Sequence, residues 1–478
     1  MIQRLQPRFG NAPGLQTLTS QTKIAQDTLI NTAHIASTAP SDGLGKLSLQ
    51  SQDQWSPISV EKHSGLTATA AKPVEEVEAA KVSNLKIPYS FEVISLSKTK
   101  SPFNKKVSAE TVEELKPALA YKKLQSAKSV AIGDLHASSQ KLFETLVVGG
   151  FIKMPEPKLK QLQHSLAMIE IAGNEIDRKV SAPAALTRLS PDPLKIEQNA
   201  LKHYHQNVLD LLPHMKWAGG KKQLILIGDV IADRGAYDPT TLAIIARLDQ
   251  QASGQIIRLA SNHDHNSLKY ITNNQLDYPW QSQSIRNAVR IARQTYAGED
   301  RLKNSYLQHL RQSQVFHWDP ESKTLYSHAP ITRSTLDNAI ERLNNTGLEL
   351  TDYNDLNEKN LPHFVQSINQ AYKDHVSEMA DTVPAHRNSK LKEREKAFHK
   401  ILWCRSPLSK ESQLPFNEKT HGVKVLAHGH DPKSLKSPFA LGRSSSNEPL
   451  PVAIVNLDNA VRKQGYIEGN SPLLMIEN

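Results

Sequence analysis

Five short apolar runs in this chain each break off into a cluster of polar, metal-capable side chains. They are SVAIGDLHAS at 129–138, LILIGDVIADRG at 224–235, QIIRLASNHDH at 255–265, TLYSHAP at 324–330 and VKVLAHGHDP at 423–432. Uninterrupted aliphatic runs of this length are what strands look like when both faces are buried. Helical stretches between them point to an α/β or α+β layered fold with a buried sheet. A further run, VAIVNLDN at 452–459, fits one more strand, and IPYSFEVISLS from Ile87 alternates like another. Ligands in such folds gather where strands end and loops begin, and this chain repeats that arrangement five times.

Between the runs the sequence is less apolar. Of 478 residues, 38% are hydrophobic and 6% aromatic, more polar than one compact globule needs, so part of the chain is expected to lie outside a core. Residues 1–90, rich in Gln, Ser, Thr and Ala, read as a low-complexity, disordered arm with short helical patches such as KIAQDTLINTAHIA. Residues 91–478 are then the catalytic domain. The long gap between Asp134 and Asp229 holds two helical stretches at about 155–217. They read either as a crossover or as a helical insertion suited to substrate or partner contact. A second helical region at 334–400 includes TLDNAIERLNN and KLKEREKAFHKIL, with its charges expected on a solvated face.

Cys404 is the single cysteine, which rules out internal disulfides and thiolate zinc clusters and suits a reducing compartment such as the cytoplasm. The start lacks the apolar core of a secretory signal, and no run nears the roughly 18 apolar residues of a membrane span. The net charge of +10 favours anionic partners. Its lysines are dispersed, with no basic tract interleaved with aromatics, so a solvated basic surface, or one that attracts phosphorylated substrates, fits better than nucleic acid.

In an extended segment, residues two apart share a face, which makes Asp134 and His136 of GDLH a plausible oxygen-plus-imidazole pair for a first-row metal. Taken singly, each cluster has an ordinary reading: Asp134 as a helix cap, Asp233–Arg234 as a surface ion pair, the histidines as loop residues. Their recurrence in this order after strand-like runs is what singles them out.

In that order the clusters resemble the phosphoprotein phosphatase family of calcineurin-like metallophosphoesterases, whose signatures are GD-x-HG, GD-x-x-DRG, GN-H-E and two later histidines. Here they stand as GDLHA, GDVIADRG, SNHDH, SHAP and HGHD, and the resemblance runs from about residue 125 to the C-terminus. It implies a calcineurin-like β-sandwich flanked by helices and a site for two divalent ions, Mn²⁺ foremost, with Fe or Zn²⁺ as alternatives. By position, Asp134, His136 and Asp229 would hold one ion; Asp229, Asn262, His328 and His430 would hold the other. The resemblance also casts Arg234 as a phosphate clamp and His263 as the leaving-group acid, oriented by Asp233. ILWCRSP resembles the segment that supplies a second phosphate-binding arginine in bacterial and phage members, making Arg405 the candidate beside a buried Trp403.

The departures matter too. GDVIADRG has one residue more between its aspartates than the usual motif, so Asp233 and Arg234 require a bulge or longer loop. Ala137 replaces a glycine, and Ser261 and Asp264 replace the Gly and Glu of GN-H-E, with Asp264 expected to support the loop. Pro432 stands where nuclease-type relatives carry a histidine, which argues against that branch. Lys410 occupies the arginine position of a Cys-x5-Arg loop, which excludes the cysteine-phosphatase mechanism and leaves Cys404 as a packing residue. His265 and His428 are left without a role.

The expected function is a metal-dependent phosphoprotein phosphatase that hydrolyses phosphotyrosine or phosphoserine/threonine monoesters through a water activated by two metals. The architecture also resembles the Wip-type effector phosphatases that intracellular bacteria such as Legionella deliver into host cells. Two alternatives stay open: a dinucleoside polyphosphate hydrolase or other small-molecule phosphoesterase, and a binding scaffold with little turnover.

Overall fold

The computed structural model describes residues 91–96, 126–181, 194–252, 254–273, 283–405, 414–430, 439–443, 449–458 and 471–476. All of them fall in one compact unit, Glu78–Asn478. The proposed N-terminal arm at 1–90 lies outside the described residues.

The first strands and helices are β1 (Phe91–Leu96), β2 (Ser129–Ile132), α1 (Ser139–Val148), β3 (Ile152–Lys153), α2 (Glu156–Ser181) and α3 (Lys195–Leu211). Next come β4 (Lys216–Trp217), β5 (Gln223–Leu226), α4 (Asp238–Ala252), β6 (Ile256–Arg258), α5 (Asn262–Asn273), α6 (Gln283–Ala292) and α7 (Gly298–Gln312). The rest are β7 (Phe316–Asp319), β8 (Thr324–Ser327), α8 (Arg333–Asn344), α9 (Leu361–Asp381), α10 (Ser389–Leu402), α11 (Glu418–His421), β9 (Val425–His428), β10 (Phe439–Arg443), β11 (Pro449–Asn456) and β12 (Ser471–Ile476).

One sheet of five strands runs β1-β12-β2-β5-β6 and a second runs β10-β11-β9-β8-β7; β3 and β4 form a small antiparallel pair of their own. The runs that end in polar clusters pair in parallel, β2 with β5, β5 with β6, and β8 with β9, and all but the edge strand β6 are central. Alternation along each strand explains why these runs are continuous. In β5, Leu224 and Leu226 join the helices of one core, while Ile225 and, just beyond the strand, Ile227 join a cluster shared with the other sheet. In β9 and β11, Leu426 and Ile454 face a second helical core, whereas Val425, Ala427, Ala453 and Val455 meet the first sheet's Ala131 and Ile225. Neither central face is exposed, so neither carries polar residues.

The helices of the 155–217 stretch, α2 and α3, pack on each other. Leu162, Leu166, Ile169 and Ile176 of α2, with Leu201 and Val208 of α3, lie in the first helical core. Their spacing of three, four and seven residues puts one apolar stripe inward.

The charged stretch KLKEREKAFHKIL departs from the expected solvated face. Glu395 of α10 turns inward, because it shares a stripe with the buried Leu391, Phe398 and Leu402 at helical spacing. Among the described residues, no helix is long and apolar enough to cross a membrane.

Candidate active site

The strands deliver the polar clusters to one edge. Asp134 and His136 follow β2, Asp229 follows β5, Asn262 and His263 follow β6, and His328 and His430 follow β8 and β9. All of these side chains are buried.

Close approach shapes the loops. Six non-glycine residues here hold a positive φ: His136 (48°), Ala137 (58°), Asp229 (45°), Ala232 (65°), Asp233 (65°) and His430 (69°). Strain of this kind persists only where neighbours impose it. Ala137 thus occupies, at some strain, the conformation a glycine would take freely. Gly429 is required for a different reason, because a Cβ there would overlap the Asp134 carboxylate.

SNHDHN is not a loop, as its polarity suggested, but the first turn of α5. Ser261 caps it, its Oγ accepting the Asp264 N–H at 3.0 Å, and the His263 N–H points at Asp229 Oδ1, 3.3 Å away. Asp264, in turn, supports a loop other than its own: Oδ1 accepts the Ile231 N–H at 2.9 Å, within GDVIADRG. Burial alone would raise this carboxyl. The His309 ring at 3.7 Å and the Ile231 N–H outweigh burial and hold it below the ordinary value.

Two donor groups meet on Asp229: His136 with His263 on one side, His328 with His430 on the other. Asn262 belongs to the second group, with Oδ1 2.8 Å from His328 Nε2. Burial pushes His328 down to about 3, so its ring is neutral and has a single N–H. His328 Nδ1 lies 3.0 Å from the Ile227 carbonyl and donates that hydrogen to it. A bare Nε2 then faces Asn262 Oδ1 and, at 3.4 Å, Asp229 Oδ1. Three acceptor atoms converge there, a set that could hold a cation. Nε2 of His430 is likewise buried without a hydrogen-bond partner among the described residues. Burial, aided by Asp229, drives Asp134 well above the carboxylate range, and burial drives Asp229 up as well. A positive charge among them would relieve both. These donor groups could hold metal ions.

The extra residue in GDVIADRG is absorbed by the left-handed turn at Ala232 and Asp233. Arg234 Nε donates to Asp233 Oδ2 at 2.6 Å, and Nη2 donates to His136 Nε2 at 3.1 Å. Asp233 Oδ2 lies 3.2 Å from His136 Nδ1 and 3.6 Å from His263 Nε2. The latter is just outside hydrogen-bond range, because the carboxylate is shared with Arg234. Trp403, expected to be buried, is half-buried, with its ring 6.1 Å from those of His263 and His430. Arg405 beyond it is exposed, and its charge contributes to depressing both His328 and His430. Cys404 is buried in the second helical core, and His428 Nδ1 pairs with the Gly429 carbonyl at 2.9 Å.

Sequence reasoning missed two members of this site. Asp458, just past β11, hydrogen-bonds to the Asp134 side chain and forms a third donor group with Asp134 and His136. Its signal was visible, since it follows an apolar run as Asp134 and Asp229 do. Lys141 of α1 is buried, with Nζ donating to the carbonyls of Asp134 (2.8 Å) and Gly133 (3.2 Å). It resembled any helix lysine.

The WipA-like phosphatase domain, as a family, matches residues 223–463, just over half of the chain. The chain belongs to that family. Asp229 through Asp458 lie within the matched WipA-like segment, and Asp134 and His136 lie upstream of it. No curated protein matches the chain. Among solved structures it is similar to the phosphatase domain of the Legionella effector WipB, at 18% identity and a TM-score of 0.47, over 64% of this chain and 99% of that one. It is also similar to a cold-active protein tyrosine phosphatase (16% identity, TM-score 0.36, 74% of each chain). A third is the cold-active protein-tyrosine phosphatase of a psychrophilic Shewanella species (15%, TM-score 0.33, 74% of this chain and 76% of that one).

Proposed function

We propose that this WipA-like domain is a metal-dependent phosphoprotein phosphatase of the calcineurin-like phosphoprotein phosphatase type. The observation that carries the proposal is Asp229, shared between two buried donor groups, His136 with His263 and His328 with His430. Asp134, His136 and Asp229 would hold one divalent ion, and Asp229, Asn262, His328 and His430 the other. Bound there, Mn²⁺, or else Fe or Zn²⁺, would supply positive charge to a phosphoryl oxygen and acidify water.

The chain's own groups do the rest. Arg234, with 29% of its side chain exposed, can turn its guanidinium edge to a phosphoryl group, and Arg405 offers a second from the Trp403 side. Together they stabilise charge that grows on the equatorial oxygens. His263 carries the proton for the leaving oxygen, with the carboxylate of Asp233 3.6 Å from its Nε2. A phenolate leaves more readily than an alkoxide, so phosphotyrosine turnover would depend less on this pair. The α2–α3 hairpin is the candidate substrate contact, and delivery into a host cell is the setting that a Wip-type effector implies.

The test is turnover of a panel of phosphotyrosine, phosphoserine and phosphothreonine peptides beside dinucleoside polyphosphates, by the full chain with Mn²⁺. Peptide turnover that falls on Asp229→Asn supports the proposal. Preference for dinucleotides overturns the substrate class, and no turnover of any phosphoester favours a binding scaffold.

A further inference from the structure

His265, two residues beyond His263 on α5, is not part of the cluster just described. It meets His375 of α9 and Glu395 of α10. Its Nε2 lies 3.1 Å from Glu395 Oε2, and His375 Nε2 lies 2.8 Å from the same oxygen. All three ligand atoms fall within 4.8 Å of one another. The rings are stacked, 6.0 Å apart and 18° from parallel, and their side chains are 1% and 0% exposed. Glu395 is 22% exposed, so its side chain reaches solvent. Tyr372 and Phe398 form the wall, with the Tyr372 hydroxyl 3.4 Å from His265 Nδ1.

Two arrangements satisfy these contacts. In the first, both rings donate Nε2–H to Glu395 in a hydrogen-bonded clamp; His375 Nδ1 is buried without a partner among the described residues in either arrangement. In the second, both Nε2 atoms are bare and a cation sits among the three ligand atoms. Ligand atoms about 2.0 Å from a tetrahedral ion are separated by about 3.3 Å, so the two nitrogen-to-carboxylate distances, 3.1 and 2.8 Å, need to open only by a few tenths of an ångström. Two imidazoles and a carboxylate, with no thiolate, suit zinc or a similar first-row ion rather than calcium or magnesium.

We propose that His265, His375 and Glu395 form a mononuclear site for a divalent cation of the zinc class, distinct from the site at Asp229. A water entering beside Glu395 would complete its coordination. The site ties α10, which leads into Trp403 and Arg405, to α5, which begins at Asn262 and His263.

The proposal is independent of the phosphatase reading, and its test keeps the two apart. Full-length Asp229→Asn protein, with the other centre disabled, is dialysed against Zn²⁺ and its bound metal counted by mass spectrometry. Adding Glu395→Gln or His375→Gln should each lower the zinc content by one equivalent per chain, with near-UV circular dichroism confirming the fold. Zinc should also raise the melting temperature of Asp229→Asn but not of the double variants. If either folded double variant holds as much zinc as Asp229→Asn, or if Asp229→Asn binds none, the cluster is a hydrogen-bonded clamp and the proposal fails.

Discussion

Asp264→Ala should loosen the loop that carries Asp233 and Arg234 without touching either residue. Within that loop Asp229, Ala232 and Asp233 are left-handed. At roughly 1–2 kcal/mol for each non-glycine residue, the loop holds roughly 3–6 kcal/mol of strain. Two carboxylates restrain it from behind: Asp264 accepts the Ile231 N–H at 2.9 Å, and Asp238 accepts the Ala232 N–H at 3.0 Å. A buried hydrogen bond to a charged acceptor contributes about 1.5–3 kcal/mol, comparable with the strain it opposes. Removing the Asp264 carboxylate should therefore lower stability by about 2–3 kcal/mol and the melting temperature by roughly 5 °C. A shift of about 1 Å in Asp233 and Arg234 would cut kcat/KM on an aryl phosphate by roughly a hundredfold. Asp264→Asn keeps an acceptor for Ile231 and should recover most of both losses. Calorimetry and steady-state kinetics on the two variants decide the matter. Parental values for Asp264→Ala, or equal damage from both variants, would refute the reasoning.

Other expectations rest on separate groups. Glu170 in α2 is buried, neither oxygen has a hydrogen-bond partner among the described residues, and burial pushes it from 4.5 up to about 8. Its folded-state pKa is raised, so its contribution is intact below pH 4.5 and lost as pH rises toward 8. Between pH 5 and 7.5, denaturant titrations should show the parent losing about 3 kcal/mol more than Glu170→Gln, and equal slopes would contradict this. Arg234→Ala and Arg405→Ala should each lower kcat/KM for a phosphopeptide by about 10²–10³, and lysine should not restore it, because the planar fork is lost. Asp458→Asn keeps a hydrogen-bonding group beside Asp134 but removes a negative charge, and Mn²⁺ affinity measured by calorimetry should fall by about 10–100-fold.

What the sequence revealed follows from burial. Strands β2, β5, β9 and β11 are covered on both faces, so each is an unbroken apolar run whose polar end marks the site. β7, FHWD, was not legible, because it sits at a sheet edge with its middle residues half-buried. The left-handed turn in GDVIADRG was legible only as an extra residue; its shape depends on carboxylates from Asp264 and Asp238, which tertiary packing supplies. Glu395 could have been read from its spacing with Leu391 and Phe398, but its charge pointed outward on composition alone. Lys141 carried no local signal, since its partners are the carbonyls of Gly133 and Asp134 and only the folded chain brings them within reach.

The proposed function requires Asp229 to join two cation sites that drive phosphate-ester hydrolysis. The direct measurement pairs Mn²⁺ content with phosphopeptide turnover in the full chain and in Asp229→Asn. Both should fall together in the variant, and chelation should abolish turnover until Mn²⁺ is returned. Full turnover by the chelated chain, or unchanged metal content and activity in Asp229→Asn, would contradict it.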